Sequence, residues 1–361
     1  MKLVNFIIGA ITLISTISAY PNNYSKERCG SDYGECKPGY CCNKNGWCGN
    51  SDDHCLISKG CQYEYGICKD LTINNTIKSP IKRNKPTITN KPTDNIEYAG
   101  FRFSPSGVRK SYNEIPNGNK WIEYVNKMVK HFNGAKPIVV VVVSENSENT
   151  NTKFGFKKPS DISDYKYINY SDDDLFEDIL TAFDNKKFNV WLQVEPGNND
   201  LTTLANIVFK KYGHHSCVKG FGVDLEWWYR GYDFKGKALS DLEAKRIVEY
   251  VRGFNENYTV LVKHWETSFM PPSYRDHMIF IDDNQGFKDS LDKMTKRFGK
   301  WAKKFPNNPV MFQIGYKKDE GIWENKPIEV AKAVAKVASE YNKQVGILWV
   351  DYTMKKALAT M

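Results

Sequence analysis

Two carboxylates, Asp224 and Glu226, stand two residues apart in "GFGVDLEWWYRG" (220–231), with Val223 and Leu225 as apolar neighbours. Side chains alternate along a β-strand, so a strand here is expected to present both acids on one face. Burial and like charge push the proton affinities of such groups away from their usual values, and one of them can then act as an acid near neutral pH. Paired carboxyl groups of this kind break glycosidic bonds. The next residue of the same parity is Trp228, which has no proton to give. Glu195, in "WLQVEPG", is a third candidate catalytic acid.

These residues need a frame. Strand-like runs are expected at 99–103, 137–143, 189–194, 220–226, 258–263, 278–281, 310–314 and 346–350. Several are continuously apolar ("IVVVVV", "MIFI", "GILWV"), as strands buried on both faces are. Between them lie stretches with apolar residues at helical spacing, such as "WIEYVNKMVKHF", "DLFEDILTAF", "DLEAKRIVEYVRGF" and "IEVAKAVAKVASEY". Eight strands alternating with helices imply an α/β fold, a (β/α)8 barrel over 96–361, with chemistry at the C-terminal ends of its strands. The "HWETSFMPPSYRDH" connection leaves little room for a helix, and the long polar connection after the second strand is expected to face the substrate side.

Eight of the nine cysteines fall between Cys29 and Cys68. Residues 1–19 carry one Lys, an apolar run and a small residue before the expected cut, and read as a secretory signal peptide. Dense, even cysteines behind such a segment imply a disulfide framework, and the pairing is open at this point. Residues 69–95, rich in Lys, Asn, Thr and Pro, read as a disordered linker between the cysteine module (29–68) and the barrel. Asn23, Asn74, Asn169 and Asn257 begin glycosylation sequons. The net charge of +9 is dispersed, so no nucleic-acid partner is expected, and no later segment is apolar for long enough to span a membrane. Localisation is expected to be extracellular. His214-His215 reads as a solvent-facing pair rather than a metal site, Cys217 as a buried free thiol, and no cofactor or metal is expected.

The cysteine order, with its adjacent pair Cys41-Cys42 and the "GWCG" turn, resembles the hevein-type (type 1) chitin-binding module. The resemblance implies bridges Cys29–Cys42, Cys36–Cys48, Cys41–Cys55 and Cys61–Cys68. It also implies a sugar site at Asn43, Trp47 and His54, with Asn45 replacing a further aromatic. The segment 220–231 resembles the fourth-strand signature of glycoside hydrolase family 18, the chitinases, which reads D-G-x-D-x-D-x-E. Gly222 and Asp224 fit it. Phe221 and Glu226 replace its first and last Asp, and Trp228 stands where the catalytic Glu belongs. The Asp-x-Glu pair is also similar to that of family 25 lysozymes, although their first-strand pattern is absent. "GILWVDY" resembles the last chitinase strand, which implies Trp349 beneath a bound sugar.

Three readings of the barrel stay open. It is a hydrolase with Glu226 as acid, supported by Asp224 and Glu195. It is a lectin that grips a glycan through Trp228, Trp349, Tyr316 and Trp265. Or Asp224 and Glu226 are interior polar groups paired with Lys263 or Arg102. The expected partner is chitin or another N-acetylglucosamine-containing polysaccharide, with the protein secreted and associated with a cell wall.

Overall fold

The computed structural model describes residues 27–68, except 31, 35, 38, 39, 57, 58, 63, 64 and 67, and residues 96–361, except 148–150 and 231–233. The expected signal peptide and linker lie outside the described residues. The chain divides into two units between Pro86 and Thr87.

The first unit contains a two-stranded antiparallel ribbon, β1 (Cys41–Cys42) and β2 (Cys48–Gly49), followed by a single helical turn, α1 (Asp52–Cys55). Its buried clusters consist of cysteines with Tyr40 and Tyr65 packed against them. So little apolar surface cannot hold a fold of this size by burial alone. Four disulfides supply the constraint, Cys29–Cys42, Cys36–Cys48, Cys41–Cys55 and Cys61–Cys68, the pairing the hevein-type resemblance implies.

The second unit is a closed barrel of eight parallel strands with helices between them. Its strands are β3 (Ile96–Phe103), β4 (Lys136–Ser147), β7 (Asn189–Val194), β8 (Val218–Asp224), β9 (Thr259–Lys263), β10 (Met278–Asp282), β11 (Val310–Ile314) and β12 (Val345–Trp349). Each pairs with its neighbours in that order, and β12 returns to β3. All eight expected strands are present. The fourth ends at Asp224 and passes into a 3-10 turn, Leu225–Trp227, so Glu226 is not a strand residue and the period-two argument stops before it. The connection after β4 forms two further strands, β5 (Asn151–Phe154), antiparallel to the overlong β4, and β6 (Ile168–Tyr170). As the paired prolines imply, β9 and β10 are joined only by a 3-10 turn, Thr267–Phe269.

Around the barrel run α2 (Pro105–Tyr112), α3 (Gly118–Val129), α4 (Glu177–Lys186), α5 (Leu201–Tyr212), α6 (Asp241–Phe254), α7 (Leu291–Lys304), α8 (Glu320–Trp323), α9 (Pro327–Ser339) and α10 (Met354–Thr360). Their starts follow from sequence. Ser104, Asn117, Asp200 and Ser290 cap first-turn N–H groups, and Ser240 with Glu243 forms a reciprocal capping box. Ahead of α4, Asp174 Oδ1 accepts from the Phe176 and Glu177 N–H groups and so starts that helix. None of the helices among the described residues is long and apolar enough to cross a membrane.

Strand parity separates two cores. Ile138, Val140, Trp191, Leu261, Ile279, Ile281, Met311 and Leu348 fill the barrel interior, while residues of the opposite parity pack beneath the helices. Continuing the interior parity toward the C-terminal strand ends brings up Arg102, Gln193, Glu195, Asp224, Lys263, Asp283 and Gln313. The polar site is thus the upper layer of the barrel's own filling.

Candidate active site

A cavity of about 410 Å³ opens among these strand ends. Five carboxylates (Glu145, Glu195, Asp224, Glu226 and Asp283) and three cations (Arg102, Lys110 and Lys263) line it, together with Trp227, Tyr316 and Tyr352. Asp224 and Lys263 are register partners on adjacent strands, and the Lys263 ammonium lies 2.8 Å from Asp224 Oδ2 and 2.5 Å from Asp283 Oδ2. All three side chains are almost fully buried. Asp224 Oδ1 and Asp283 Oδ1 have no hydrogen-bond partner.

Arg102 makes the second charged knot. Its Nη1 donates to Asp351 Oδ1 at 3.0 Å, and its Nη2 lies 3.6 Å from Glu195 Oε1. Asp351 also accepts from the Ser104 N–H and hydroxyl, so a carboxylate just beyond β12 ties the last strand to the first. Glu195 Oε2 accepts the Asn146 N–H at 2.7 Å, supplied by the overlong end of β4. Thr152 on β5 donates to the Glu195 carbonyl. The β4–β5 excursion therefore positions Glu195.

With more carboxylates than cations in a buried space, protons are retained. Burial, reinforced by the Asp224 charge, pushes the Glu195 carboxyl up to about 8. Burial and then Asp224 push Glu226 up to about 7, although Lys263 and Arg230 pull the other way. Asp224 is also raised by burial, against the opposing pull of Lys263. Burial alone would lower the Lys263 ammonium, but Asp224 and Asp283 more than reverse this and keep it charged. Glu226, carried by the 3-10 turn, is the more exposed acid, and Arg230 approaches it at 3.6 Å while covering the Trp227 ring at 4.2 Å. Its carboxyl can therefore hold a proton near neutral pH at a place a ligand can reach.

The sequence-derived residues divide. Asp224, Glu226, Glu195 and Tyr316 line the cavity, and Gln313 donates a hydrogen bond to the Tyr316 hydroxyl. Three expected sugar-stacking tryptophans do not line it. Trp228 is buried, and its indole N–H donates to the Asn199 carbonyl at 3.1 Å. The turn that ends β8 breaks the alternation and gives the cavity Trp227 in its place. Trp349 has the outward parity, opposite to Leu348; it meets Trp323 edge-on and donates to Thr353. Trp265 stacks on His264. Asp282 also faces outward, toward Arg297 on α7. Trp227 and Tyr352 were missed because each follows a strand end, where period-two reasoning lapses.

In the cysteine module Trp47 is 46% exposed. Arg28 lies over its ring at 4.3 Å and over that of exposed Tyr33 at 4.7 Å, an aromatic that sequence reasoning did not single out. Asn43 Oδ1 accepts the N–H groups of Asn45 and Trp47, both at 3.0 Å, so this oxygen shapes the turn that presents the tryptophan. His54 is held by Ser51 at 2.8 Å, with its ring against Gly49, where a Cβ would approach within 2.5 Å.

No family model matches the chain. Among solved structures, the chain is similar to a beta-1,4-D-mannanase from Cryptopygus antarcticus (12% identity, 73% of this chain and 90% of that one, TM-score 0.40). It is similar at the same identity and score to a family 99 endo-alpha-mannosidase from Bacteroides thetaiotaomicron, over 73% and 86% of the two chains. Sequence relatives fall on the cysteine-rich region. Endochitinase 1 of Theobroma cacao is 42% identical over 55 residues, 15% of this chain and only 17% of that protein. Pseudo-hevein of Hevea brasiliensis is 50% identical over 38 residues, which are 10% of this chain but 84% of that protein. With the four bridges formed and most of a whole hevein-type protein matched at this identity, the chain belongs, through its N-terminal module, to the hevein family.

Proposed function

We propose that the protein is a secreted glycoside hydrolase acting on chitin or another N-acetylglucosamine-containing polymer, with Glu226 as the acid and the hevein-type module as the polymer anchor. The observation that carries this reading is Glu226 itself, a reachable carboxyl raised to about 7 beside Asp224 in a cavity with room for a sugar unit. Tyr352 and the Trp227 face opposite Arg230 offer apolar ring surface to a pyranose, and the charged groups offer hydrogen bonds to its hydroxyls. Glu195, with its proton retained, is the second acid. Tethering the barrel to an anchored module raises its effective concentration at an insoluble polymer, even when the module's own grip is weak.

A second reading, glycan binding without cleavage, is favoured by one observation. Asp224 and Asp283 share Lys263, and Glu195 is tied to Asn146 and Arg102, so the acids other than Glu226 are already engaged. Mass spectrometry of soluble sugars released from chitin and from peptidoglycan separates the two. The hydrolase reading expects release by the wild type and a loss of about 10²–10⁴-fold in Glu226→Gln. Equal release by both proteins would move the acid to another residue. Absence of release, with both proteins still pelleting with the polymer, would establish the binder.

A further inference from the structure

On the outer helical layer, between α4 and the turn that leads into β8, Glu177, His214 and His215 turn their ligand atoms toward one another, all within 4.8 Å. None of the three lines the cavity. Glu177 Oε1 lies 3.2 Å from His214 Nε2 and 3.3 Å from His215 Nε2. With metal–donor bonds of about 2.0–2.1 Å, two donors of a tetrahedral zinc ion stand roughly 3.3–3.5 Å apart.

His215 supplies the decisive detail. It is 4% exposed, and its Nδ1 lies 2.7 Å from Asp184 Oδ2. An ionised carboxylate only accepts, so Nδ1 carries a hydrogen, and with that one proton on the ring Nε2 presents a bare lone pair. That buried Nε2 makes no hydrogen bond and faces the lone pairs of Glu177 Oε1. Two acceptors facing each other repel, one of them on the buried His215 ring and the other on Glu177, whose side chain is 39% exposed, and a cation between them removes the conflict. Asp184 is itself fixed by the Cys217 N–H (2.7 Å) and the Ser216 hydroxyl (3.1 Å). A carboxylate that orients an imidazole through its remote nitrogen is the usual support of a histidine metal ligand. Charge also balances: Lys211 pairs with Asp174 at 2.7 Å, though it also stands 3.4 Å from Glu177 Oε2, and Glu177 with Asp184 matches a divalent ion.

We propose that Glu177, His214 and His215 form a site for a divalent transition metal of the zinc type, with water completing the coordination. Two imidazole nitrogens and one carboxylate select such an ion over magnesium or calcium, which prefer oxygen donors throughout. The ion would fasten α4 to the turn before β8. The bridged cysteines of the N-terminal module are spent in disulfides and do not compete for it.

The test is calorimetric titration of zinc chloride into the chelator-treated full chain, free of any histidine tag. One ion per chain is expected, with affinity in the micromolar range or tighter. His214→Ala, at a 60% exposed side chain, should weaken binding at least tenfold without unfolding the barrel. Asp184→Asn should weaken it by about 10–100-fold by releasing the His215 ring. The conservative Glu226→Gln should leave it unchanged. Absence of saturable binding below about 100 μM zinc would overturn the proposal and leave an ordinary histidine–glutamate ion pair. Undiminished binding by both His214→Ala and Asp184→Asn would overturn it equally, by placing the metal elsewhere.

Discussion

The hevein-type module and the barrel both expose a tryptophan-bearing surface, but they hold it in opposite ways. In the module, four covalent bridges fix the backbone, and Trp47, Asn43 and His54 decorate it from outside the buried cysteine clusters. In the barrel, Arg102, Asp224 and Lys263 line the cavity and at the same time satisfy the interior's charges. Asn43 still shapes the turn beneath Trp47, but the bridges hold the backbone whatever the surface side chains are, which accommodates Asn45 and His54 where an aromatic is usual. The barrel site lacks that freedom, because its polar groups are mutually dependent.

Experiments can sharpen or break this contrast. The largest effect is expected from reduction. Native disulfides of small domains contribute about 2–5 kcal/mol each, so dithiothreitol should unfold the module completely. The barrel's cysteine, Cys217, is unbridged and buried, and donates to the Leu180 carbonyl, so the barrel's calorimetric transition should stay in place. A barrel transition that moved with reduction would show that the barrel's stability depends on the bridged module.

Next in size is Lys263→Met, which leaves Asp224 and Asp283 buried without their shared cation. Breaking such a pair costs about 3–5 kcal/mol, read by urea denaturation of the barrel. A loss below about 1 kcal/mol would mean that the two carboxyls simply take up protons, and that the site tolerates change as the module does.

The third test is pH. Glu195 and Glu226 are raised to about 8 and about 7 from an ordinary value of 4.5, so between these limits the folded barrel holds protons that the unfolded chain has released. Their contribution to stability is complete below pH 4.5 and is lost as pH rises through 7 and 8. The barrel's Tm should fall between pH 5 and pH 9, and Glu195→Gln should flatten that slope. A Tm that rises across this interval would contradict the buried, proton-holding site.

Much of the architecture was legible because buried parallel strands and amphipathic helices write themselves as runs and periods. All eight strands and the α6 boundaries at Asp241 and Phe254 follow from that signal. The site was legible only as far as the alternation lasted. Asp224 obeys it, and Lys263 and Arg102 were among the partners that the interior reading allowed. One residue beyond β8 the backbone leaves the pleat, and Trp227 takes the cavity while Trp228 goes beneath it. Parity also places Trp349 on the helix side, where likeness to a known motif had put it under a sugar. The β5–β6 excursion had no apolar period long enough to announce it.

The Asp351 knot has a consequence in time. Its carboxylate gathers Arg102 and Ser104 from about 250 positions earlier in the chain. During synthesis the first strand emerges long before its seam partner exists, and until β12 arrives the sheet is an open ribbon with two unpaired edges. Contacts so distant in sequence form late and slowly. Until β12 is made, a nascent chain of this protein therefore carries an exposed edge and an arginine with Glu195 but not yet Asp351 to pair with, and that interval is when it is most open to pairing with another copy of itself.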